Sequence, residues 1–306
     1  MTNYRNWLIA LTLGAAAGAS AQTTPPPDVK IETTQIAPGI YMLVGRGGNV
    51  GLTVGVDGAA IIDDQFADMA PKIRAAVAML TDQPVKFVIN THLHGDHTGG
   101  NDAFGKAGAI IIAQENVRKR LGTPQVNPAN NQQIAPRARE ALPVVTFAHS
   151  ATLHFNDDDL EFTHLPNAHT ETDIMIRFRK ANVVHMGDMF TGGFPFIDGN
   201  NGGTLDGLIK AHATVLTQID GDTKVIRGHG PLGNKAELQA YHDMLVVVRD
   251  RIAKLVRAGK SQDEVVEARP TREFEATYGG ANFNAAQWIG RAYVDQKVAA
   301  EKRRRK

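Results

Sequence analysis

Three histidines and one aspartate lie within the six-residue segment HLHGDH, at positions 92–97. The neutral imidazole is the commonest protein ligand for zinc, and a carboxylate can complete the coordination shell. His92 and His94 are two positions apart, so their side chains point to the same side of an extended segment. Asp96 and His97 follow a glycine that lets the chain turn, so they can reach a second point in space. This spacing predicts ligands for two metal ions rather than a solvated, histidine-rich loop.

Ligands for a two-metal site must come from more than one segment, and three later residues have a suitable context. His169 follows a predicted strand, Asp188 lies at the end of another, and His229 is flanked by two glycines that leave its imidazole room to reach a cleft. Each residue alone is a weak indication, because a lone histidine at a strand end is more often a core or surface residue. Their order after the histidine segment makes them the candidates for the remaining ligands.

This combination of residues resembles the metallo-β-lactamase fold hydrolases, from about residue 36 to about residue 257. The pattern His-x-His-x-Asp-His at 92–97 is the specific mark of that family. The resemblance implies an α/β fold, a four-layer αββα sandwich of two mixed β-sheets with outer helices, and a site between the sheets. It also implies two Zn²⁺ ions as cofactors. In the family pattern the first zinc binds His92, His94 and His169, the second binds Asp96, His97 and His229, and Asp188 bridges both.

The implied ligand set has open coordination positions, which are typical of a catalytic zinc site rather than a structural one. Two zinc ions about 3.5–4 Å apart can share a water molecule and lower its pKa towards 7, which gives a metal-bound hydroxide at neutral pH. One zinc then polarises the substrate carbonyl, and the other stabilises the leaving group. Asp96 is expected to orient the nucleophile as well as bind metal. Asp63 matches a family position that supports the histidine segment from behind, as metal ligands generally require.

The elements that position these residues follow from short apolar runs separated by turn signals. Residues 85–90 predict a buried strand that ends at the histidine segment, and Asp57-Gly58 predicts a hairpin turn. Residues 122–136 are polar, contain prolines and have no period, so they predict a loop or lid. Strands alternate with helices but hairpins occur in both halves, which favours two packed mixed sheets with outer helices. The other predicted strands are 39–44, 52–56, 59–63, 109–113, 143–147, 151–155, 160–165, 173–178, 182–186 and 224–227, and the predicted helices are 67–80, 205–219, 236–258 and 284–300.

The N-terminus has the pattern of a secretory signal peptide, at residues 1–21. Arg5 precedes an apolar run, and Ala19-Ser20-Ala21 forms an A-x-A cleavage site. The run is too short to span a bilayer comfortably, and an uncleaved anchor is the alternative interpretation. We therefore expect a periplasmic or secreted protein without a stable membrane anchor. Residues 22–35 predict a tether, and residues 36–306 the hydrolase domain with its C-terminal helices and basic tail.

Composition sets further limits on partners and ligands. The 306-residue chain is 42% hydrophobic and has a formal net charge of +1. This fits one large domain or two small ones and gives no indication of nucleic acid as a partner. The chain has no cysteine, which excludes disulfides and any metal site that needs a thiolate. The expected partner is a small-molecule substrate, and the sequence leaves the oligomeric state open.

The substrate is less well determined, because the fold hosts β-lactam, lactone and thioester hydrolysis as well as phosphodiester cleavage. The β-lactamase subclasses with a cysteine ligand do not match literally, since Asp188 occupies the corresponding place. By resemblance, an aspartate there is usual in the lactonase, thioesterase and phosphodiesterase branches. The dioxygen-reducing di-iron branch has a glutamate where this chain has His94, which disfavours redox chemistry. Six histidines match no ligand position and are expected to be structural or surface residues: His149, His154, His164, His185, His212 and His242.

One loop favours β-lactams. The sequence GNNGG at 199–203 resembles the loop with which some β-lactamases contact the lactam carbonyl, so Asn200 is a candidate catalytic donor, although a flexible glycine turn is the simpler interpretation. Thr191 stands where many of those enzymes place a lysine for the substrate carboxylate. We expect an exported dinuclear zinc hydrolase that opens cyclic amides or esters in a β-lactamase-like manner. The alternatives are a lactonase or phosphodiesterase of the same fold, and a non-catalytic exported metal-binding accessory protein.

Overall fold

The computed structural model describes residues 28–126, 132–280 and 284–304. The predicted signal peptide and the first part of the predicted tether lie outside these residues. The strands of the described chain are β1 (Glu32–Ala37), β2 (Ile40–Val44), β3 (Val50–Gly55), β4 (Gly58–Ile62), β5 (Val85–Ile89), β6 (Ile110–Gln114), β7 (Gln125–Val126), β8 (Gln133–Ile134), β9 (Val145–Phe147), β10 (Ser150–Phe155), β11 (Asp158–His164), β12 (Ile174–Phe178), β13 (Val183–His185), β14 (Lys224–Ile226) and β15 (Gly233–Asn234). The helices are α1 (Ala70–Ala78), α2 (Gly95–Thr98), α3 (Asn101–Lys106), α4 (Glu115–Leu121), α5 (Leu205–Leu216), α6 (Lys235–Arg257), α7 (Gln262–Glu267), α8 (Glu275–Tyr278) and α9 (Ala285–Arg304).

Two large mixed sheets form the centre of the fold. The first has the spatial order β1-β2-β3-β4-β5-β6-β9, and the second has the order β10-β11-β12-β13-β14-β15. In the first sheet β1 to β4 are antiparallel, and β4, β5, β6 and β9 are parallel. In the second sheet β13 and β14 form the parallel pair, and the other neighbours are antiparallel.

The core is layered because successive residues of a buried strand face opposite sides of the sheet. In β4, Ile62 packs between the two sheets with Phe162 and Ile176 of the second sheet. Its neighbour Ile61 packs on the outer face of the first sheet with Ile73 of α1. Both faces of the first sheet are therefore buried, which explains why its central strands are almost continuous apolar runs.

Helices from the second half of the chain cover the outer face of the second sheet. In β12, Ile176 faces the first sheet, whereas Met175 faces outward. Met175 belongs to one cluster with Leu208 of α5, Tyr241 of α6 and Trp288 of α9. The layers are thus helices, sheet, sheet and helices, as the predicted αββα sandwich requires.

The candidate ligands lie at one common edge of the two sheets. Strands β4 and β5 are parallel neighbours, so Asp63 and the segment 90–97 follow them at the same edge. Strands β13 and β14 are also parallel, which places Asp188 and His229 after their ends. The loop between β11 and β12 brings His169 to this edge. Short connections after parallel strands therefore assemble the site.

Two sequence predictions differ from the structure. Residues 32–35, assigned to the tether, lie in β1, which pairs with β2 from Glu32↔Val44 onwards. As an edge strand with exposed side chains up to Gln35, β1 lacks the apolar alternation that identifies a half-buried strand. Within the predicted loop 122–136, β7 and β8 form a two-stranded ladder. Strands of two residues are too short to show a period. None of the described helices is long and apolar enough to cross a membrane.

Helix α9 is part of the core and not an appendage. Trp288 is 1% exposed, its ring stacks on Phe194 at a centroid distance of 4.9 Å, and its Nε1 donates a hydrogen bond to the Pro195 carbonyl at 2.8 Å. Phe194 and Pro195 directly precede a loop at the candidate site. The C-terminal helix therefore stabilises the backbone that carries this loop.

We predict that Trp288→Ala lowers the free energy of unfolding by about 3–5 kcal/mol, because it removes a buried aromatic side chain and leaves a cavity. The matched control is Val294→Ala on the same helix, where the side chain is 52% exposed and a change within about 0.5 kcal/mol is expected. Urea denaturation of both variants measures the difference. Equal denaturation midpoints for the two variants would show that α9 does not contribute to the core.

Candidate metal centre

The first group of candidate ligands consists of His92, His94 and His169. His94 Nδ1 lies 3.2 Å from His92 Nε2 and 2.9 Å from His169 Nε2. A tetrahedral zinc ion with bonds of about 2.0–2.1 Å places neighbouring ligand atoms roughly 3.3 Å apart. Three imidazole nitrogens thus converge at a separation suited to one ion. The Asp188 carboxylate completes this group, with Oδ2 3.8 Å from His169 Nε2.

The second group consists of Asp96, His97 and His229. Asp96 Oδ2 lies 3.2 Å from His229 Nε2 and 3.7 Å from His97 Nε2. Asp188 Oδ1 approaches the same two histidines, at 3.2 Å from His97 Nε2 and 3.4 Å from His229 Nε2. One carboxylate therefore faces both groups, with one oxygen towards each. This is the arrangement that a bridging ligand needs.

The chemistry of the donor atoms fits two divalent metal ions. Within the described residues, His97 Nε2 and Asp188 Oδ1 are buried and make no hydrogen bond. Buried polar atoms are rarely left without a partner, so such a pair needs an explanation, and a metal ion between them supplies one. Imidazole nitrogens and carboxylate oxygens suit zinc and other first-row ions. All seven predicted ligands lie in the two groups, and their roles as ligands stay predictions.

Asp63 ties the two groups together from behind. Its Oδ2 lies 2.6 Å from His97 Nδ1, and its Oδ1 accepts a hydrogen bond from the Thr91 backbone N–H at 2.7 Å. Thr91 Oγ1 donates to Asp63 Oδ2 at 2.7 Å and lies 2.9 Å from His92 Nδ1. In both histidines Nδ1 is thereby engaged, and Nε2 is left for a metal ion. The predicted supporting position of Asp63 agrees with these contacts.

The other two histidines of the first group are oriented by the loop that follows Pro195. His169 Nδ1 donates to the Phe196 carbonyl at 2.7 Å, which leaves Nε2 for metal. His94 Nε2 lies 2.9 Å from Asp198 Oδ2, so its Nδ1 is the nitrogen left for metal. Sequence reasoning did not find Asp198. Its only local signal is the turn that follows, where its side chain accepts hydrogen bonds from the Asn200 and Asn201 backbone N–H groups.

The comparisons with known proteins agree with this geometry. The family model of the metallo-beta-lactamase superfamily matches residues 44–234, which include all seven candidate ligands. The chain belongs to this superfamily. Membership suggests a metal-dependent hydrolase and makes metal binding by the two groups the expected property of this site. Residues 235–304, with α6 to α9, lie beyond the matched region.

Solved structures support the fold. A metallo-beta-lactamase from Pontibacter korlensis superimposes with a TM-score of 0.58 and 18% identity, over 71% of this chain and 99% of that chain. The DIM-1 metallo-beta-lactamase superimposes with a TM-score of 0.56 and 16% identity, over 71% of this chain and 98% of that chain. At these identities the likeness shows the fold alone. A search of curated protein sequences finds no match.

Electrostatics keep the site in its metal-binding protonation states. Burial would raise the pKa of Asp188, but His97, His229 and His169 outweigh it and hold this pKa well below its usual range. Burial and the neighbouring His94 lower the pKa of His169 to about 4, so its imidazole is neutral at pH 7. Neutral imidazoles and ionised carboxylates are the forms that bind metal.

Two glycines leave room for the ligands. A Cβ added at Gly228 would lie 2.0 Å from Asp188 Oδ1, and one added at Gly48 would lie 2.1 Å from His97 Cε1. Any side chain at either position would displace a candidate ligand. The glycine-rich turn between β2 and β3 thus has a function that its sequence alone does not reveal, because the contact is made with a segment about fifty residues away.

The two residues singled out for substrate contact lie in different environments. Asn200 is exposed on a 3-10 turn (Gly199–Asn201), and it lines a cavity of about 410 Å³ together with His94. Thr191 is 3% exposed, and its Oγ1 lies 3.2 Å from Tyr241 Oη. The position at which the family often has a lysine therefore packs against α6. The six other histidines are in neither group.

We predict that Asp198→Asn weakens zinc binding at the first group about 10- to 100-fold, because the charged acceptor behind His94 is lost while the turn keeps a capping side chain. Burial would raise the pKa of Asp198, but hydrogen bonds from His94 and Asn201 lower it to about 2, so it is charged at pH 7. Chelator competition with zinc measures the affinity. Asp222→Asn, at an exposed position, is the control. Equal affinities in the two variants would mean that Asp198 does not support the metal.

Proposed function

We propose that this protein is an exported dinuclear zinc hydrolase that opens cyclic amides or esters, with β-lactam-like substrates first. One observation carries the proposal. The Asp188 carboxylate faces two groups of metal-ligating side chains, and one member of these groups, His94, lines a cavity. Open two-metal sites of this kind serve hydrolysis, whereas structural zinc sites are closed.

The two groups differ in exposure, which indicates where a substrate reaches them. The side chains of His169 and His97 are fully buried, whereas those of His229 and Asp96 are 32% and 27% exposed. The side chain of His94 is 19% exposed. A substrate therefore approaches over His94, Asp96 and His229. Bound zinc ions supply Lewis-acid chemistry at this face, since they polarise a carbonyl and favour ionisation of water near neutral pH.

Asp96 is the residue that we assign to orient the attacking water. Burial would raise its pKa, but the hydrogen bond to His229 and the charge of His97 lower it below its usual value. The carboxylate is thus ionised and can only accept hydrogen bonds. Its Oδ2 contacts His229, and the partial exposure of the side chain leaves it within reach of solvent.

The cavity supports a small-molecule substrate. Its volume of about 410 Å³ lies within the usual range for ligand pockets. Its walls combine the metal-site residue His94 and the amide residues Asn200 and Asn201 with apolar side chains. These apolar residues are Leu93, Leu121, Val126 and Ile134.

A lactonase is the second candidate. The burial of Thr191 against Tyr241 leaves position 191 unsuited to hold a cation for a substrate carboxylate, and uncharged lactones do not need one. By family resemblance, an aspartate at the bridging position is usual in that branch. A phosphodiesterase and a non-catalytic metal-binding protein complete the set that an experiment has to separate. Export rests on residues 1–21, outside the described structure, and stays part of the proposal.

A substrate panel on the zinc-loaded protein without residues 1–21 tests this function. We predict turnover of nitrocefin or of an acyl homoserine lactone, and weaker or no turnover of a thioester and of bis-p-nitrophenyl phosphate. Asp188→Asn should lower zinc content and every activity together, because a shared carboxylate holds both ions. His154→Ala, at a side chain that is 80% exposed, should change neither. Full zinc content without any turnover would establish the accessory protein, and turnover of the phosphodiester alone would establish a phosphodiesterase.

We further predict that Asn200→Ala lowers kcat for nitrocefin by about tenfold or less and leaves zinc content unchanged. A single donor to a developing oxyanion is worth at most about 10²–10³, and bound zinc already supplies much of this stabilisation. Asn200→Gln keeps an amide donor on a longer side chain and should retain part of the rate. An Asn200→Ala variant with the wild-type kcat would remove Asn200 from the catalytic residues.

A further inference from the structure

A guanidinium group lies over the glycine that separates two candidate metal ligands. A Cβ added at Gly95 would lie 3.7 Å from Arg137 Nη2. Apart from the chain neighbours and helical turn of Gly95, no other heavy atom of the described residues lies within 4 Å of that point. Gly95 stands between His94 and Asp96 in the sequence. The Arg137 charge is therefore held at the mouth of the metal centre, above open space.

Arg137 also lines the cavity of about 410 Å³ that reaches His94 and Asn200. The backbone N–H of Arg137 donates to the Leu121 carbonyl at 2.8 Å, which fixes the main chain at this point of the rim. The wall thus presents a cation on one side, a candidate zinc ligand on another, and apolar side chains between them. Such a wall suits a molecule with an apolar body and one anionic group.

The charge of Arg137 is not compensated by an ion pair. The cavity's other arginine, Arg120, is neutralised by Glu171, whose Oε1 lies 2.8 Å from Nε and 2.7 Å from Nη2. In the described parts of the chain no carboxylate lies within 4.0 Å of the Arg137 guanidinium. Its charge reaches the buried Asp64, whose pKa is raised well above its usual value by burial. The guanidinium is thus free to pair with a ligand.

We propose that Arg137 binds a carboxylate of the substrate and thereby selects carboxylated molecules with an apolar body. The planar guanidinium pairs with a carboxylate through two parallel hydrogen bonds, which a lysine cannot reproduce. Position 191, where the family often has a cation, packs on Tyr241, so Arg137 supplies the charge from the opposite side of the sequence motif. The proposal rests on the proposed function, since it names the substrate class of the same site.

The first experiment measures binding without turnover. Zinc-free protein is titrated with 2-naphthoate and with its neutral analogue 2-naphthamide, and binding is followed by NMR. In Arg137→Gln we expect the Kd for 2-naphthoate to rise about three- to tenfold, at the low end of a charge-assisted hydrogen bond because the site is exposed. The Kd for 2-naphthamide should not change. Arg137→Lys should restore part of the affinity, and Arg139→Gln, outside the cavity lining, should behave as wild type.

Three results would overturn the proposal: no binding of 2-naphthoate to wild type, equal losses for both ligands in Arg137→Gln, or no loss for 2-naphthoate. The second experiment uses zinc-loaded enzyme with benzylpenicillin and its methyl ester, which differ only at the carboxylate. Arg137→Gln should raise KM three- to tenfold for the acid and not for the ester, with kcat unchanged, and salt should weaken the preference for the acid. If wild type hydrolyses neither compound, the proposed β-lactam activity fails, and the binding experiment still decides the role of Arg137.

Discussion

The buried Asp63 carboxylate is the interaction on which the metal centre depends. An ionised carboxylate is costly to bury unless hydrogen bonds compensate for the lost water. Here the Thr91 backbone N–H, the Thr91 hydroxyl and the His97 ring supply them. These partners come from the segment after β5, and Asp63 itself follows β4. The contacts therefore require β4 and β5 to be parallel neighbours, so the topology of the first sheet and the orientation of two candidate ligands are one constraint.

A second set of contacts links the C-terminal helices to the first group of ligands. Trp288 of α9 holds Phe194 and Pro195, the Phe196 carbonyl accepts from His169, and Asp198 contacts His94. Five consecutive residues thus connect a helix outside the family match to two candidate ligands. Stability of the outer layer and geometry of the metal centre are coupled through this short segment, since a shift of its backbone would move both imidazoles.

The sequence was sufficient for the parts of the site that depend on local spacing. The pattern at 92–97 predicted two groups of ligands, and buried apolar runs predicted the strands that end at them. Asp198 was missed because a lone aspartate before a glycine turn looks like an ordinary cap, and only the fold brings it to His94. The same reason applies to Arg137, in a segment that indicated only a loop or lid. Contacts between distant segments leave no period in either segment.

The two groups of ligands are unequal because the strands that deliver them are unequal. The first group uses a loop between antiparallel strands and is closed by Phe196, whose ring centroid lies 5.9 Å from that of His94 and 5.8 Å from that of His169. The second group uses His229 after β14, and the side chains of His229 and Asp96 are partly exposed. An ion in the enclosed group exchanges with solvent through fewer routes than one in the open group. The shared Asp188 therefore connects a site built for retention to a site built for access, and substrate chemistry belongs at the open side, where Asp96, His94 and the cavity meet.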